Sequence, residues 1–316
     1  MPPQVQTLLK KDQTAQLTQD INRLKKEKNA VILAHNYQKK DIFEVADFIG
    51  DSLKLSQEAA ATDANIIIFC GVHFMAESAK ILNPKKKVLL PAIDAGCAMS
   101  DMIDEESLKE RKTELVKKYP DLKVVCYVNT TAAVKAESDI CCTSTNAVKV
   151  VESLDSDNIL FIPDKNLAKY VASKLPRKNI IPWEGFCPIH HRINVEYIEM
   201  AKAAHPNAAV VAHPECRPEV LSMADFVCST EGMVKQAVTN SDFDEFIIIT
   251  ECGMTGRLVR EAPGKKFYSV CNMCPDMKRT NLELVKEALE KERFEITVPE
   301  GIRLKALKTL ERMLAV

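Results

Sequence analysis

Gly185-Phe186-Cys187-Pro188-Ile189-His190 carries the middle one of three evenly spaced cysteines: Cys97 lies 90 residues before Cys187 and Cys274 lies 87 after it. A spacing that regular predicts an internal repeat, and three copies are found around it. The first reads Val31-Ile32-Leu33-Ala34-His35-Asn36-Tyr37, then Ala46-Asp47-Phe48-Ile49-Gly50-Asp51-Ser52, then Asn65-Ile66-Ile67-Ile68-Phe69, then Cys97. The second reads Val124-Val125-Cys126-Tyr127-Val128-Asn129, Ser138-Asp139-Ile140-Cys141-Cys142-Thr143-Ser144, Asn158-Ile159-Leu160-Phe161-Ile162, Cys187. The third reads Val210-Val211-Ala212-His213-Pro214-Glu215, Ala224-Asp225-Phe226-Val227-Cys228-Ser229-Thr230, Phe246-Ile247-Ile248-Ile249-Thr250, Cys274. A step of 13 leads from Ala34, Cys126 and Ala212 to Asp47, Asp139 and Asp225, and a further 5 to Ser52, Ser144 and Thr230. The same aspartates precede the three cysteines by 50, 48 and 49 residues.

Short apolar strands alternate with polar helical stretches in every copy. Helices are predicted over Leu17–Asn29, Lys40–Phe48, Leu53–Ala61, Glu105–Tyr119, Ala147–Leu154, Leu167–Leu175, Val195–Ala204 and Gly232–Val238, with two more at the end, Thr280–Arg293 and Ile302–Leu314. Such alternation implies parallel sheets covered by helices on both faces, joined by right-handed crossovers. The expected fold is α/β: three αβα domains with parallel sheets, related by a pseudo-threefold axis around a central site. The domains are expected at 1–97, completed by the C-terminal helices of 278–316, then 98–187 and 188–277. A chain of 316 residues, 46% hydrophobic, can bury such a core.

A net charge of −1 gives no electrostatic reason to expect nucleic acid or an anionic membrane as partner. No stretch approaches the roughly 18 apolar residues of a membrane span, and Met1–Gln16, which looks like an extension, has no apolar signal core. The expectation is a soluble, cytoplasmic protein. Eleven cysteines are more than that setting requires. Cys70, Cys126, Cys141, Cys142, Cys228 and Cys252 lie in or beside apolar strands, where a free thiol serves as a small hydrophobe. Cys97, Cys187 and Cys274 instead neighbour Gly, Pro or polar residues, as loop residues do.

Ligands bind beyond the carboxyl ends of parallel strands, and the residues there are of functional types: His35 and Tyr37, Tyr127 and Asn129, His213 and Glu215. The pairs Asp51-Ser52, Thr143-Ser144 and Ser229-Thr230 fall where strand gives way to helix. Hydroxyls there cap helices, and three in phase also suit a phosphate or carboxylate. His35 and His213 each have a plain reading as a satisfied buried imidazole or a strand end. Three loops meeting on an axis would bring three thiolates together, which suits a 4Fe-4S cluster with one iron free of protein ligands. Zinc competes through Cys271-Asn272-Met273-Cys274, though no second C-x-x-C completes a ribbon. A Cys271–Cys274 disulfide acting as a redox switch is a third possibility.

Ala34-His35-Asn36-Tyr37-Gln38, Gly50-Asp51-Ser52, Phe74-Met75-Ala76-Glu77, Tyr127-Val128-Asn129, Thr143-Ser144, Cys187-Pro188-Ile189-His190, His213-Pro214-Glu215-Cys216 and Cys274-Pro275-Asp276-Met277-Lys278 together resemble the quinolinate synthase family of NAD biosynthesis, from about Leu17 to the C-terminus. The resemblance implies a 4Fe-4S cluster held by Cys97, Cys187 and Cys274, one from each domain. It implies condensation of iminoaspartate with dihydroxyacetone phosphate to quinolinate, with release of phosphate and water, and an aspartate oxidase or dehydrogenase as iminoaspartate supplier. His35, Tyr37, Asp51, Ser52, Tyr127, Asn129, Ser144, His213, Glu215, Ser229 and Thr230 match the family's substrate-contacting positions. Glu215 is expected as the main acid-base residue with His213 in support, and Tyr37 and Tyr127 as proton donors. Two other readings are a different cluster-dependent hydro-lyase, which would change the strand-end residues, and a noncatalytic iron-sulfur sensor, which would need an output surface such as a basic helix.

Overall fold

The computed structural model describes residues 3–316, with side chains from Asp12 onward. Among these residues, twelve strands form three four-stranded sheets, all parallel. In chain order they are β1 (Ala30–His35), β2 (Phe48–Gly50), β3 (Ile66–Cys70), β4 (Lys87–Leu89), β5 (Lys123–Tyr127), β6 (Ile140–Cys142), β7 (Asn158–Ile162), β8 (Asn179–Pro182), β9 (Ala209–Ala212), β10 (Phe226–Val227), β11 (Glu245–Glu251) and β12 (Lys266–Asn272). The order is the same each time: β2-β1-β3-β4, β6-β5-β7-β8 and β10-β9-β11-β12. The two middle strands of each sheet are the apolar runs of the repeat, buried on both faces as central parallel strands are.

The landmark aspartates turn out to be structural. Asp47, Asp139 and Asp225 each accept, through Oδ2, the backbone N–H of the residue fifteen positions earlier, Ile32, Val124 or Val210, at 2.8 Å in all three cases. Each also returns its own N–H to the carbonyl of that residue. The clamp ties the first crossover of each sheet back to its first strand, which explains why the step from strand to aspartate does not vary.

Inner faces of the three sheets share one apolar core, in which Leu33, Val125 and Val211 all take part. Two smaller layers close the outside. Helices Pro3–Glu27 and Leu282–Lys291 pack Ile21, Leu24, Val285 and Leu289 behind the first sheet. Helix Val195–Ala204 covers the third through Ile198. Helix Glu300–Leu314 lies against Ala132–Ala136 and β6, and its Arg303 reaches the Ile81 carbonyl, so it bridges the first and second sheets.

The helices differ from expectation in several places. The N-terminal helix begins at Pro3, well before Leu17; Met1 and Pro2 lie outside the described residues. The stretch expected as one helix over Lys40–Phe48 is a single turn, Lys40–Phe43, followed by β2 starting at Phe48. Helices His73–Leu82 and Met254–Glu261 were not expected at all.

Candidate active site

β1, β5 and β9 end on one cavity of about 330 Å³. The repeat brings two equivalent positions from each sheet to its wall: His35, Tyr127 and His213, then Tyr37, Asn129 and Glu215. Cys97, Cys187 and Cys274 line the same cavity, as do Asp51, Ser52, Ser144 and Thr230. Ser229 is not among the lining residues. Its hydroxyl accepts the Gly232 N–H at 3.2 Å, capping helix Thr230–Thr239, and lies 2.8 Å from the Thr145 hydroxyl. Thr145 in turn hydrogen-bonds Asp51, so residues that follow β2, β6 and β10 meet beside the cavity.

Capping falls to the residues before the expected hydroxyls. Asp51 accepts the Lys54 N–H at 2.9 Å and thereby caps helix Ser52–Ala61, while Ser229 caps the third-repeat helix. Ser52 and Thr230 are the first residues of those helices, with side chains turned to the cavity. Thr230 Oγ1 also accepts from Asn36 Nδ2 at 2.9 Å. Ser144 stands in a turn ahead of helix Ala147–Glu152.

The polar wall is organised around Glu215, which is buried together with its partners. One carboxylate oxygen accepts the Tyr127 hydroxyl; the other lies 2.7 Å from Nδ1 of His190. His190 Nδ1 is also 3.2 Å from the Cys187 sulfur, and its Nε2 is 2.9 Å from the Thr250 hydroxyl. Thr250 continues the chain to the Tyr37 hydroxyl at 2.7 Å. The His190 and His213 rings stack with centroids 4.6 Å apart.

Burial alone would raise the Glu215 carboxyl. The His190 and His213 rings, with hydrogen bonds from His190 and Tyr127, outweigh it and draw Glu215 down to about 2. It is therefore ionised at neutral pH. Burial lowers His213 to about 3 against the upward pull of Glu215; burial and the Lys278 ammonium lower His35 to about 3. Both imidazoles are neutral at pH 7. Burial and the Glu215 charge push Tyr37 and Tyr127 well up, so both keep their protons and can donate them.

Burial likewise raises all three thiols, Cys97 to about 12. A metal that binds them therefore displaces their protons. Soft sulfur donors from three loops around one cavity fit an iron-sulfur group. Cys187, His190 and Glu215 also present ligand atoms within 4.8 Å of one another, a set able to hold a metal ion. The Asn129 Oδ1, buried and without a hydrogen-bond partner, is an acceptor for a donor on a ligand.

One cysteine reading is corrected. Cys271 is bonded to Cys252, not to Cys274, so Cys252 is no free apolar thiol and the C-x-x-C pair is not the disulfide. The register of β11 and β12 sets Glu251 beside Asn272, which brings Cys252 and Cys271 to a Cα separation of 5.1 Å. Cys274 stays free to face the cavity.

The family model of the quinolinate synthetase A protein matches residues 19–315. The chain belongs to this family. It is 56% identical over 299 residues to a quinolinate synthase of Alkaliphilus metalliredigens, covering 94% of this chain and 97% of the relative. It is 55% identical over 306 residues to quinolinate synthase 1 of Methanosarcina acetivorans, with 96% and 99% covered, and 53% identical over 298 residues to a quinolinate synthase of Thermodesulfovibrio yellowstonii, with 94% and 97% covered. Among its described residues, the chain has no helix long and apolar enough to cross a membrane.

Several residues of the site escaped the sequence reading. His190 is the hub between Glu215, Cys187 and Thr250, yet a lone histidine three residues after a cysteine gave little reason to assign it. Thr250 was read as the end of an apolar strand. Arg192 brings positive charge to the cavity wall. Lys278 donates to the Tyr37 carbonyl and pairs with Glu251 at 3.0 Å.

Proposed function

We propose that the cavity joins iminoaspartate to dihydroxyacetone phosphate and closes the product to quinolinate, releasing phosphate and water, with a 4Fe-4S cluster held by Cys97, Cys187 and Cys274. One observation carries this reading: three half-buried thiols, one following each sheet, share a cavity with an ionised carboxylate wired to a tyrosine and a histidine. When bound, such a cluster supplies one iron without a protein ligand, a Lewis acid that needs no change of redox state.

The chain's own residues have these parts. Glu215, ionised and directed by His190, takes protons during enolisation and ring closure; general base catalysis of this kind is worth about 10² to 10⁴ in rate. Tyr127 and Tyr37, kept protonated by burial, donate to oxygens that leave as hydroxyl or water. Neutral His213 and His35 donate or accept hydrogen bonds without adding charge. Arg192 and the backbone N–H groups at the starts of helices Ser52–Ala61 and Thr230–Thr239 receive the phosphate and carboxylates, with Ser52, Ser144 and Thr230 hydroxyls beside them. Asn129 Oδ1 accepts from the imine or amine nitrogen. Asp51 and Ser229 hold the helix starts in place through capping and through Thr145.

The domain limits that accompany this reading are 1–97, completed by 278–316, then 98–187 and 188–277, so that each domain ends on or just beyond its ligand. A cytoplasmic setting and an aspartate oxidase or dehydrogenase as supplier of the unstable imine belong to the same proposal.

The test is iron and acid-labile sulfide in anaerobically purified protein, with quinolinate formation measured on the same samples. About four of each per chain are expected, lost in Cys97→Ala, Cys187→Ala and Cys274→Ala but kept in Cys271→Ala. Zinc in place of iron, sensitive to His190 and indifferent to Cys97, would replace the cluster by a mononuclear site at Cys187, His190 and Glu215.

A further inference from the structure

We propose that Asp164 and Glu251 are positioning residues for the cluster, each clamping the backbone of one ligand cysteine, and that the first repeat lacks such a clamp. The inference rests on Cys187 and Cys274 being ligands.

Asp164 lies just past β7, and Glu251 is the last residue of β11; each stands 23 positions before its cysteine. Asp164 Oδ2 accepts the Cys187 N–H at 3.0 Å, and Glu251 Oε1 accepts the Cys274 N–H at 3.0 Å. The second oxygen of each carboxylate holds its own loop. Asp164 Oδ1 takes the N–H groups of Asn166 and Leu167 at 2.8 Å, and Glu251 Oε2 takes that of Gly253 at 2.6 Å. Both side chains are buried.

Burial and the Glu215 charge push Asp164 up to about 8 against the backbone N–H groups that hold it down, so a buried carboxyl beside a ligand cysteine is costly unless its geometry demands one. Here the demand is for two acceptor oxygens pointing at two loops. An amide of the same shape has one acceptor oxygen and presents an NH₂ to the other N–H. The surroundings are shaped to the clamp. At Gly185 a Cβ would come within 2.6 Å of the Pro163 carbonyl, and at Gly253 within 2.8 Å of Glu251 Oε2. Lys278 offsets the Glu251 charge at 3.0 Å.

In the first repeat the same offset from Cys97 falls on Phe74, and the strand register that aligns Asp164 with Glu251 falls on Val72; neither side chain has an acceptor. The Cys97 loop is roomier as well: a Cβ on Gly96 would meet nothing within 4 Å. Two ligand loops are thus pre-set, and the third adapts.

The experiment uses the full chain labelled with [¹⁵N]cysteine, in metal-free and iron-loaded form. In metal-free protein, Asp164→Asn is expected to speed amide exchange of Cys187, and Glu251→Gln that of Cys274, each by about tenfold, the worth of one charge-assisted hydrogen bond, with Cys97 unchanged. In loaded protein, both variants are expected to release iron to a chelator about tenfold faster than wild type. Should Asp164→Asn fail to fold, Asp164→Ser carries the same measurements, since one oxygen still caps helix Lys165–Lys174 while the arm to Cys187 is gone. Wild-type amide exchange and iron release in folded variants would overturn the inference. Faster amide exchange in the variants, with a wild type that binds no iron, would leave two carboxylate clamps but overturn the ligand reading and, with it, their role toward a cluster.

Discussion

The Glu215 carboxylate lies 2.7 Å from Nδ1 of His190 while its other oxygen accepts the Tyr127 hydroxyl. An anion held between a ring nitrogen and a phenol is fixed in orientation, yet its charge is shared by groups that can return a proton. Glu215→Gln keeps the shape and loses the base. Quinolinate formation is expected to fall by about 10² to 10⁴, with iron content and melting temperature close to wild type. Tyr127→Phe is expected to cost less alone. Combined with Glu215→Gln it should add little further loss, because the two groups act as one unit; steady-state turnover of the four proteins tests this.

Thr250 offers a second, quieter test. Its hydroxyl stands between Tyr37, at 2.7 Å, and His190 Nε2, at 2.9 Å, and it is fully buried. Thr250→Val preserves volume and leaves both partners short of a hydrogen bond. The cost is expected at about 1 to 3 kcal/mol of stability, read from urea midpoints, together with a drop in kcat larger than any change in KM, since a loosened Tyr37 and His190 affect the reacting geometry more than substrate capture.

Asn129 lines the cavity, and its Oδ1 is buried and lacks a partner within the protein. Its place in the repeat matches Tyr37 and Glu215, so it belongs to the reacting wall. Asn129→Asp would set a fixed negative charge against substrates that carry carboxylates and phosphate. The expected result is a rise in KM of about tenfold or more, the scale of a like-charge contact in a partly desolvated site, with an unchanged melting temperature. An Asn129→Asp enzyme with wild-type KM would remove this residue from the substrate contacts.

The sequence made the repeat, its two central strands and the strand-end residues legible because all three depend on local runs and constant steps. The outer strands β2, β4, β6, β8 and β10 span two to four residues and carry little pattern of their own; only the neighbouring strands define them. Helix Met254–Glu261 was hidden by the polar residues between Met254 and Leu258. The Cys252–Cys271 bond depends on the register of two strands, which no spacing reveals. Asp164 and Glu251 did leave a signal, a carboxylate 23 residues before a ligand cysteine, but Phe74 breaks it in the first copy, and a pattern present in two of three copies is easily passed over. His190 had only its nearness to Cys187 to recommend it, and its role rests on where Glu215 and Thr250 come to lie.

The neutral histidines lead to a prediction about acid. His35 and His213 have folded values near 3, driven down first by burial, against an ordinary value of 6.5. Between those limits the unfolded chain binds more protons than the folded one, so stability rises with pH across the window and is complete above about 6.5. Lowering the pH from 7 to 5 is expected to remove roughly 1 to 2 kcal/mol for each of the two histidines. Glu215 adds to the loss only below its unfolded value of 4.5, because its folded value is depressed to about 2. In metal-free protein the urea midpoint should therefore fall steeply from pH 7 to 5, and His213→Asn should flatten that slope by about half while Glu215→Gln leaves it in place. A midpoint that is level over this range would mean that both imidazoles take up protons in the folded chain as they do in the unfolded one, and the neutral wall assigned to them beside Glu215 would have to be abandoned.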